Sequence, residues 1–201
     1  MSNMTVDKLR SLYGDPSPRA AAKVIYAFDQ HCHDIIAHST FLILATTDGD
    51  SLDVSPKGDP AGFVKVESST TLLLPDRPGN NRIDGLVNIL ANPQVAMLFM
   101  IPAVNETLRV NGTAEIIDDA AICDQFKVGS RSPKTVLRIT AAEIYTHCGK
   151  APLRAGLWAP ETWPSTRPVA TLFEMVRDHS QLQLDAVDQE AVDRSYNKSL
   201  Y

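Results

Sequence analysis

Before Phe41 the apolar residues of this chain recur at helical spacing; from Phe41 onward they alternate or form short unbroken runs. In MTVDKLRSLYG, Leu9 and Leu12 share a helical face and Gly14 supplies a stop. SPRAAAKVIYAF opens on Ser17 before Pro18, a cap followed by a first-turn proline. DQHCHDIIAHS predicts a third helix with Ile35 and Ile36 inward. FLILATT, the turn DGD and SLDVSPKG then predict a β-hairpin, and GFVKVES with TTLLLPD a second pair of strands. A helix follows from about Asn80 to Leu90, with Ile83, Leu86, Val87 and Leu90 on one face. QVAMLFMIP reads as a strand buried on both sides. ETLRVNGTAEII is another strand, with a bulge or turn at Asn111-Gly112. DDAAICDQFKV is a short helix and KTVLRITAAEIYTHCG the last long strand.

Six or seven strands in succession with few helices between them predict a mainly β fold with flanking helices. An antiparallel barrel or sandwich fits this order and a doubly wound sheet does not. The organisation expected is a helical extension over 1–40, a strand-rich domain over 41–160 and a C-terminal extension over 161–201. The last is irregular at WAPETWPSTRP, holds one or two helices in VATLFEMVRDHSQLQLDAV and ends in the frayed tail DRSYNKSLY.

Composition narrows the classes. The chain has 201 residues, 44% hydrophobic and 21% charged, enough for a soluble core. A formal net charge of −5 gives no global field for nucleic acid, so any anion site is local. No apolar run approaches the ~20 residues of a membrane span, and MSNMTVDKLR lacks the apolar core of a signal peptide. Cys32, Cys123 and Cys148 are odd in number and widely spaced, which excludes a disulfide framework and fits the cytoplasm.

The chemistry concentrates in three places. LLLPDRPGNNRIDGLVNIL runs an apolar strand through two arginines and two asparagines into a helix, where free N–H groups and the dipole favour an anion. A phosphate site and a polar turn with an Asn cap both fit. In DVSPKGDPAG, Ser55 and Lys57 alternate along a strand end and share a face, or form a solvated edge guarded by Pro56. His147-Cys148-Gly149-Lys150, with Arg154 beyond, lies where the last strand ends, facing a ligand or capping the rim. His31, Cys32 and His33 diverge on a helix and cannot converge on one ion. No nucleophile triad, G-x-G-x-x-G or P-loop is present.

DVSPKGDPAGFVKV, LLLPDRPGNNRIDGLVNILANPQVAMLFMIP, ETLRVNGTAEI and EIYTHCGKAPLRAGLW, in this order over roughly residues 35–160, resemble the pyridoxamine 5′-phosphate oxidase-like family of FMN-binding split β-barrels. Within it the chain is most similar to the branch of FMN-dependent enzymes of unassigned substrate. The resemblance implies a six-stranded antiparallel split barrel and a homodimer with one FMN in each of two clefts between subunits. It puts Asn81 and Arg82 at the FMN phosphate, with Asn80 adjacent, and Lys57 at the basic position closing the preceding strand. It sets His147 where oxidases place an aromatic residue, and Lys150 and Arg154 in a tract supplying basic contacts from the partner chain. Lys57, Lys150, Thr107 and Arg109 are the candidates for the flavin pyrimidine edge, where positive charge stabilises the reduced form.

Three departures separate the chain from true oxidases. Leu52-Asp53 stands in place of an arginine, Asn80-Asn81-Arg82 in place of Ser-Arg-Lys, and His147 in place of tryptophan. FMN binding carries over; oxidation of pyridoxamine 5′-phosphate does not, because too few cations remain for a second phosphate. The expectation is a small-molecule oxidoreductase with hydride transfer to the flavin, the alternatives being a flavin-binding protein without turnover or a deazaflavin-dependent reductase.

Overall fold

The computed structural model describes residues 4–180 and 189–201. Three helices come first, α1 (Val6–Tyr13), α2 (Pro18–Ala21) and α3 (Gln30–His38). The strand-rich part runs β1 (Phe41–Thr47), β2 (Leu52–Gly58), β3 (Lys65–Val66), β4 (Thr71–Pro75), α4 (Asp84–Ala91), β5 (Gln94–Met100), β6 (Thr107–Ile117), α5 (Ala120–Asp124) and β7 (Val136–His147). After it come α6 (Lys150–Ala155), a turn of 3-10 helix, α7 (Leu172–His179) and α8 (Gln189–Lys198).

The strands make one sheet in the order β2-β1-β5-β6-β7-β4-β3, antiparallel with flanking helices as the strand run predicts and the split barrel that the resemblance implies. It has seven strands rather than six, because GFVKVES contributes a two-residue strand against β4. Leu42, Phe99 and Leu108 stand in register on the inner face, each fully buried. Leu44, Met97 and Val110 form the next row. Helix α3 covers this face with Cys32 and Ile36; its N-cap Asp29 accepts from the Cys32 N–H at 2.9 Å.

Strand β5 is buried on one side only, contrary to the expectation for QVAMLFMIP. Val95, Met97 and Phe99 are buried, while Ala96, Leu98 and Met100 are half-buried on the outer face, which the described helices leave open. There Val54 and Leu52 of β2 are 64% and 82% exposed. An apolar outer patch results across β2, β1 and β5.

The bulge expected at Asn111-Gly112 is present. Asn111 pairs with Glu143 and Gly112 with Ala141, so Ala142 has no partner. Before it Leu137, Ile139 and Ala141 are buried; after it Ile144 is. Only glycine fits at 112, since a Cβ there would lie 2.0 Å from the Thr140 carbonyl oxygen.

Other expectations are corrected. The helix in SPRAAAKVIYAF stops at Ala21, and Ile25 instead exchanges two backbone hydrogen bonds of 2.9 Å with Ile144, satisfying the edge of β7 past the bulge. Helix α4 begins at Asp84, and its stripe Ile83, Val87, Leu90 faces outward at 55%, 53% and 78% exposure. The small and polar face docks instead. Gly85 lies close against Asp53 and Thr46, and the buried Asn88 donates from Nδ2 to Thr46 Oγ1 at 3.2 Å. The tail DRSYNKSLY is helical through Lys198 within α8. Helix α7 carries a Thr171–Glu174 capping box, while residues 181–188, part of VATLFEMVRDHSQLQLDAV, lie outside the described residues. Among the described residues no helix is long and apolar enough to cross a membrane.

Candidate functional site

The first flank is built by β2 and the segment leaving β4. Strand periodicity puts Asp53, Ser55 and Lys57 on the inner side of β2, half-buried. Lys57 Nζ donates to Asp76 Oδ1 at 3.3 Å, just past the end of β4. Arg77 is held more firmly. Its Nε donates to Asp59 Oδ2 at 2.6 Å and its Nη1 to the Phe126 carbonyl at 2.7 Å. The Asp59 side chain is 2% exposed. The Tyr201 hydroxyl also donates to Asp59, which raises the Tyr201 pKa, and the Tyr201 ring lies 5.3 Å from the Arg77 guanidinium. Arg77 is therefore a structural strut. A cavity of ≈ 230 Å³ opens between Lys57, Gly58, Phe63, Arg77 and Gly79.

The loop then turns through unusual backbone. Asn81 and Ile83 have φ of 59° and 53°, left-handed values that are strained for a non-glycine residue and most so for a β-branched one. The Arg82 N–H donates to Asn80 Oδ1 at 3.0 Å, and Arg82 Nε to Asp84 Oδ2 at 2.8 Å. The Arg82 side chain is 74% exposed. No side chain caps α4, whose N-cap is Ile83, so the Asn-cap reading of this turn does not hold. An uncapped helix N-terminus beside an exposed arginine remains open to an anion.

The second flank lies on the outer face at the end of β6 and β7. Thr107 stands opposite His147, and Arg109 opposite Tyr145. Arg109 Nη1 donates to the Tyr145 hydroxyl at 2.6 Å, with its guanidinium 5.1 Å from the ring. The His147 ring is 5.1 Å from that of Tyr145, and its buried Nε2 has no hydrogen-bond partner. Burial, then the charges of Arg109 and Lys23, lower the His147 pKa, leaving the imidazole neutral near pH 7. Just beyond, Lys150 and Arg154 lie one turn apart on α6, both exposed.

The structure keeps the two flanks apart. The register Lys57, Leu42, Phe99, Leu108, Thr146 spans four strand intervals, about 19 Å along the sheet. Lys57 faces inward and His147 outward. Ser55, Lys57, Asn80, Asn81 and Arg82 form one group; Thr107, Arg109 and His147 form the other, with Lys150 and Arg154 following it in the chain. Asp76, Asp84, Tyr145 and Lys23 join them without having been singled out. Alternation along β7 from His147 pointed to Tyr145, whereas no local signal pointed to Lys23. Among the described residues no group of three side chains suits a metal ion.

A family model described as pyridoxamine 5′-phosphate oxidase matches residues 28–148, more than half of the chain. No curated protein matches. Among solved structures, HupZ of Group A Streptococcus is 24% identical at a TM-score of 0.47, covering 59% of this chain and 93% of that one. A candidate pyridoxamine 5′-phosphate oxidase from Lactobacillus delbrueckii is 20% identical at 0.48, covering 60% and 95%. General Stress Protein 26 of Bacillus anthracis is 17% identical at 0.44, covering 57% and 88%.

Proposed function

The chain belongs to the pyridoxamine 5′-phosphate oxidase family, and from that premise we propose that it is an FMN-dependent oxidoreductase acting on a small molecule as a homodimer. One observation carries the reading: the candidate residues form two half-sites that face opposite sides of the sheet, four strand intervals apart, so a second chain is needed to bring one of each to the same flavin. Two chains, each offering one flank to the other, complete two identical sites. The exposed apolar patch around Leu52 and Val54 supports such an assembly. The free cysteines suit a reducing, cytoplasmic setting.

The residues fit the cofactor. The cavity beside Lys57, the exposed Arg82 and the uncapped start of α4 suit a phosphate dianion. Bound there, FMN would supply the electron-transfer chemistry. Lys57 and Arg82 bind the phosphate, exchanging partial contacts with Asp76 and Asp84 for a stronger anion. Arg77, locked to Asp59, holds the cavity wall. Arg109 brings positive charge to the second flank. Lys150 and Arg154 are exposed on α6, and a cleft open beside the ring with these cations at its mouth would favour turnover over storage.

The test is the visible spectrum of the purified protein, with acid release and mass identification of the chromophore. FMN at about one per chain and consumption of a reduced nicotinamide with a broad set of acceptors are expected. A colourless protein that does not take up FMN, or a released deazaflavin, would overturn the cofactor assignment. Bound FMN without turnover would favour the storage reading.

A further inference from the structure

Lys23 lies outside every motif described above, yet the fold delivers it to the second flank. The paired hydrogen bonds between Ile25 and Ile144 pin the segment after α2 to the edge of β7. Lys23, two residues earlier, then projects its ammonium to 5.2 Å from the Tyr145 ring centroid. Arg109 approaches the same ring at 5.1 Å and bonds its hydroxyl. Two cations thus share one neutral aromatic, and among the described residues neither makes an ion pair. Glu143, two residues before Tyr145 on β7, is engaged by Asn111 Nδ2 at 2.8 Å. Beside them the His147 Nε2 is buried without a partner.

Like charges brought together beside an unsatisfied polar atom are unfavourable unless an anion completes the set. We propose that Lys23, Arg109 and His147, arranged around Tyr145, form a subsite for the acidic group, carboxylate or phosphate, of the substrate. The proposal rests on the oxidoreductase reading for what carries the acidic group, not for the anion site itself. Neutral His147 donates an N–H to the oxyanion when its Nε2 is the protonated nitrogen. Arg109 supplies the guanidinium edge not used by Tyr145. Lys23, an exposed residue, closes over the anion from the N-terminal segment and makes that segment a determinant of specificity.

The probes are inorganic phosphate and benzoate, titrated calorimetrically into the purified protein, with flavin content measured on the same samples. Saturable binding of one of them is expected; which one binds identifies the acidic group. Lys23→Gln and Arg109→Gln should each weaken it about fivefold or more, the scale of a lost charge-assisted contact. Lys127→Gln, an exposed control, should not. Bound anion should also raise the His147 titration midpoint, read by NMR and assigned through His147→Asn, because negative charge favours the imidazolium. Unchanged affinity in Lys23→Gln, equal loss in Lys127→Gln, or no heat from either probe would overturn the subsite. Anion binding with the expected losses in a protein devoid of flavin would instead keep the subsite and sink the oxidoreductase reading.

Discussion

Replacing Lys57 by methionine keeps the length of the side chain and removes its charge. A bound FMN phosphate then loses the Nζ donor, and it also meets Asp76 without the cation that lay 3.3 Å away. Two unit charges at that separation attract by about 5 kcal/mol at an effective dielectric of ~20 and by about 1 kcal/mol in water. Each side chain is 25% exposed, so the pair lies toward the lower figure, about 1 kcal/mol net. The charge-assisted bond to phosphate contributes about 1.5–3 kcal/mol. Because wild-type Lys57 gives up part of its contact with Asp76, the expected loss is about 2 kcal/mol, or ~30-fold in Kd. Adding Asp76→Asn to Lys57→Met removes the unmasked repulsion and should recover about 1 kcal/mol, roughly fivefold. The assay is fluorescence titration of deflavinated protein with FMN, alongside a thermal melt to confirm folding. Affinity of Lys57→Met within twofold of wild type, in a protein that melts normally, would refute the placement of the phosphate. So would a double variant weaker than the single one.

Four further outcomes follow from the same geometry. Arg82→Ala should weaken FMN binding roughly tenfold, whereas Asp84→Asn, which frees the arginine, should tighten it, both read by the same titration. Asp in place of Val54 on the apolar outer face should shift sedimentation from two chains to one and release the flavin. Gly112→Ala should destabilise by at least about 3 kcal/mol in urea unfolding, or prevent folding, since its Cβ meets a carbonyl. The lowered His147 pKa means the unfolded chain takes up that proton first; stability is undiminished above the ordinary value of 6.5 and falls as pH drops from there through the folded pKa. His147→Gln should flatten that acid limb, and a denaturation series across it that is identical in both proteins would count against the burial of the imidazole.

What could be read along the chain was whatever local chemistry decides. The period of two in DVSPKG placed Ser55 and Lys57 together, Asn111-Gly112 announced its bulge, and the strand run narrowed the architecture to an antiparallel barrel or sandwich, which the resemblance then resolved to a split barrel. The misses came where distant partners decide. Helix α4 looked amphipathic through Ile83, Val87 and Leu90, but Gly85 and Asn88 dock on Thr46 and leave those residues outside. An outward apolar stripe makes sense only against a second surface, which one chain's periodicity does not reveal. Arg82 was legible as a cation near a helix start, but its contact with Asp84 and the left-handed backbone at Asn81 and Ile83 were not. Lys23 depends wholly on the bridge between Ile25 and Ile144, residues far apart in the chain.

Ala142 offers no functional group, yet the bulge that sets it aside decides what the second flank contains. Up to Ala141 the odd-numbered residues of β7 point inward; from Ile144 the even-numbered ones do. The unpaired residue acts as a half-period phase shift. Its removal would leave Glu143 directly after Ala141 and restore an unbroken wave, with Ile144 still inward and Tyr145 and His147 still outward beside Arg109. The chemistry of this face therefore depends on the bulge that holds one residue out of the pairing and not on that residue's type. Substituting position 142 with another small side chain preserves the message, and so does deleting it, whereas a strand that kept the residue and lost the bulge would invert every letter downstream. Comparison of related chains across this strand has to allow for a gap there, since an ungapped superposition would set catalytic-looking residues against core residues and find no kinship.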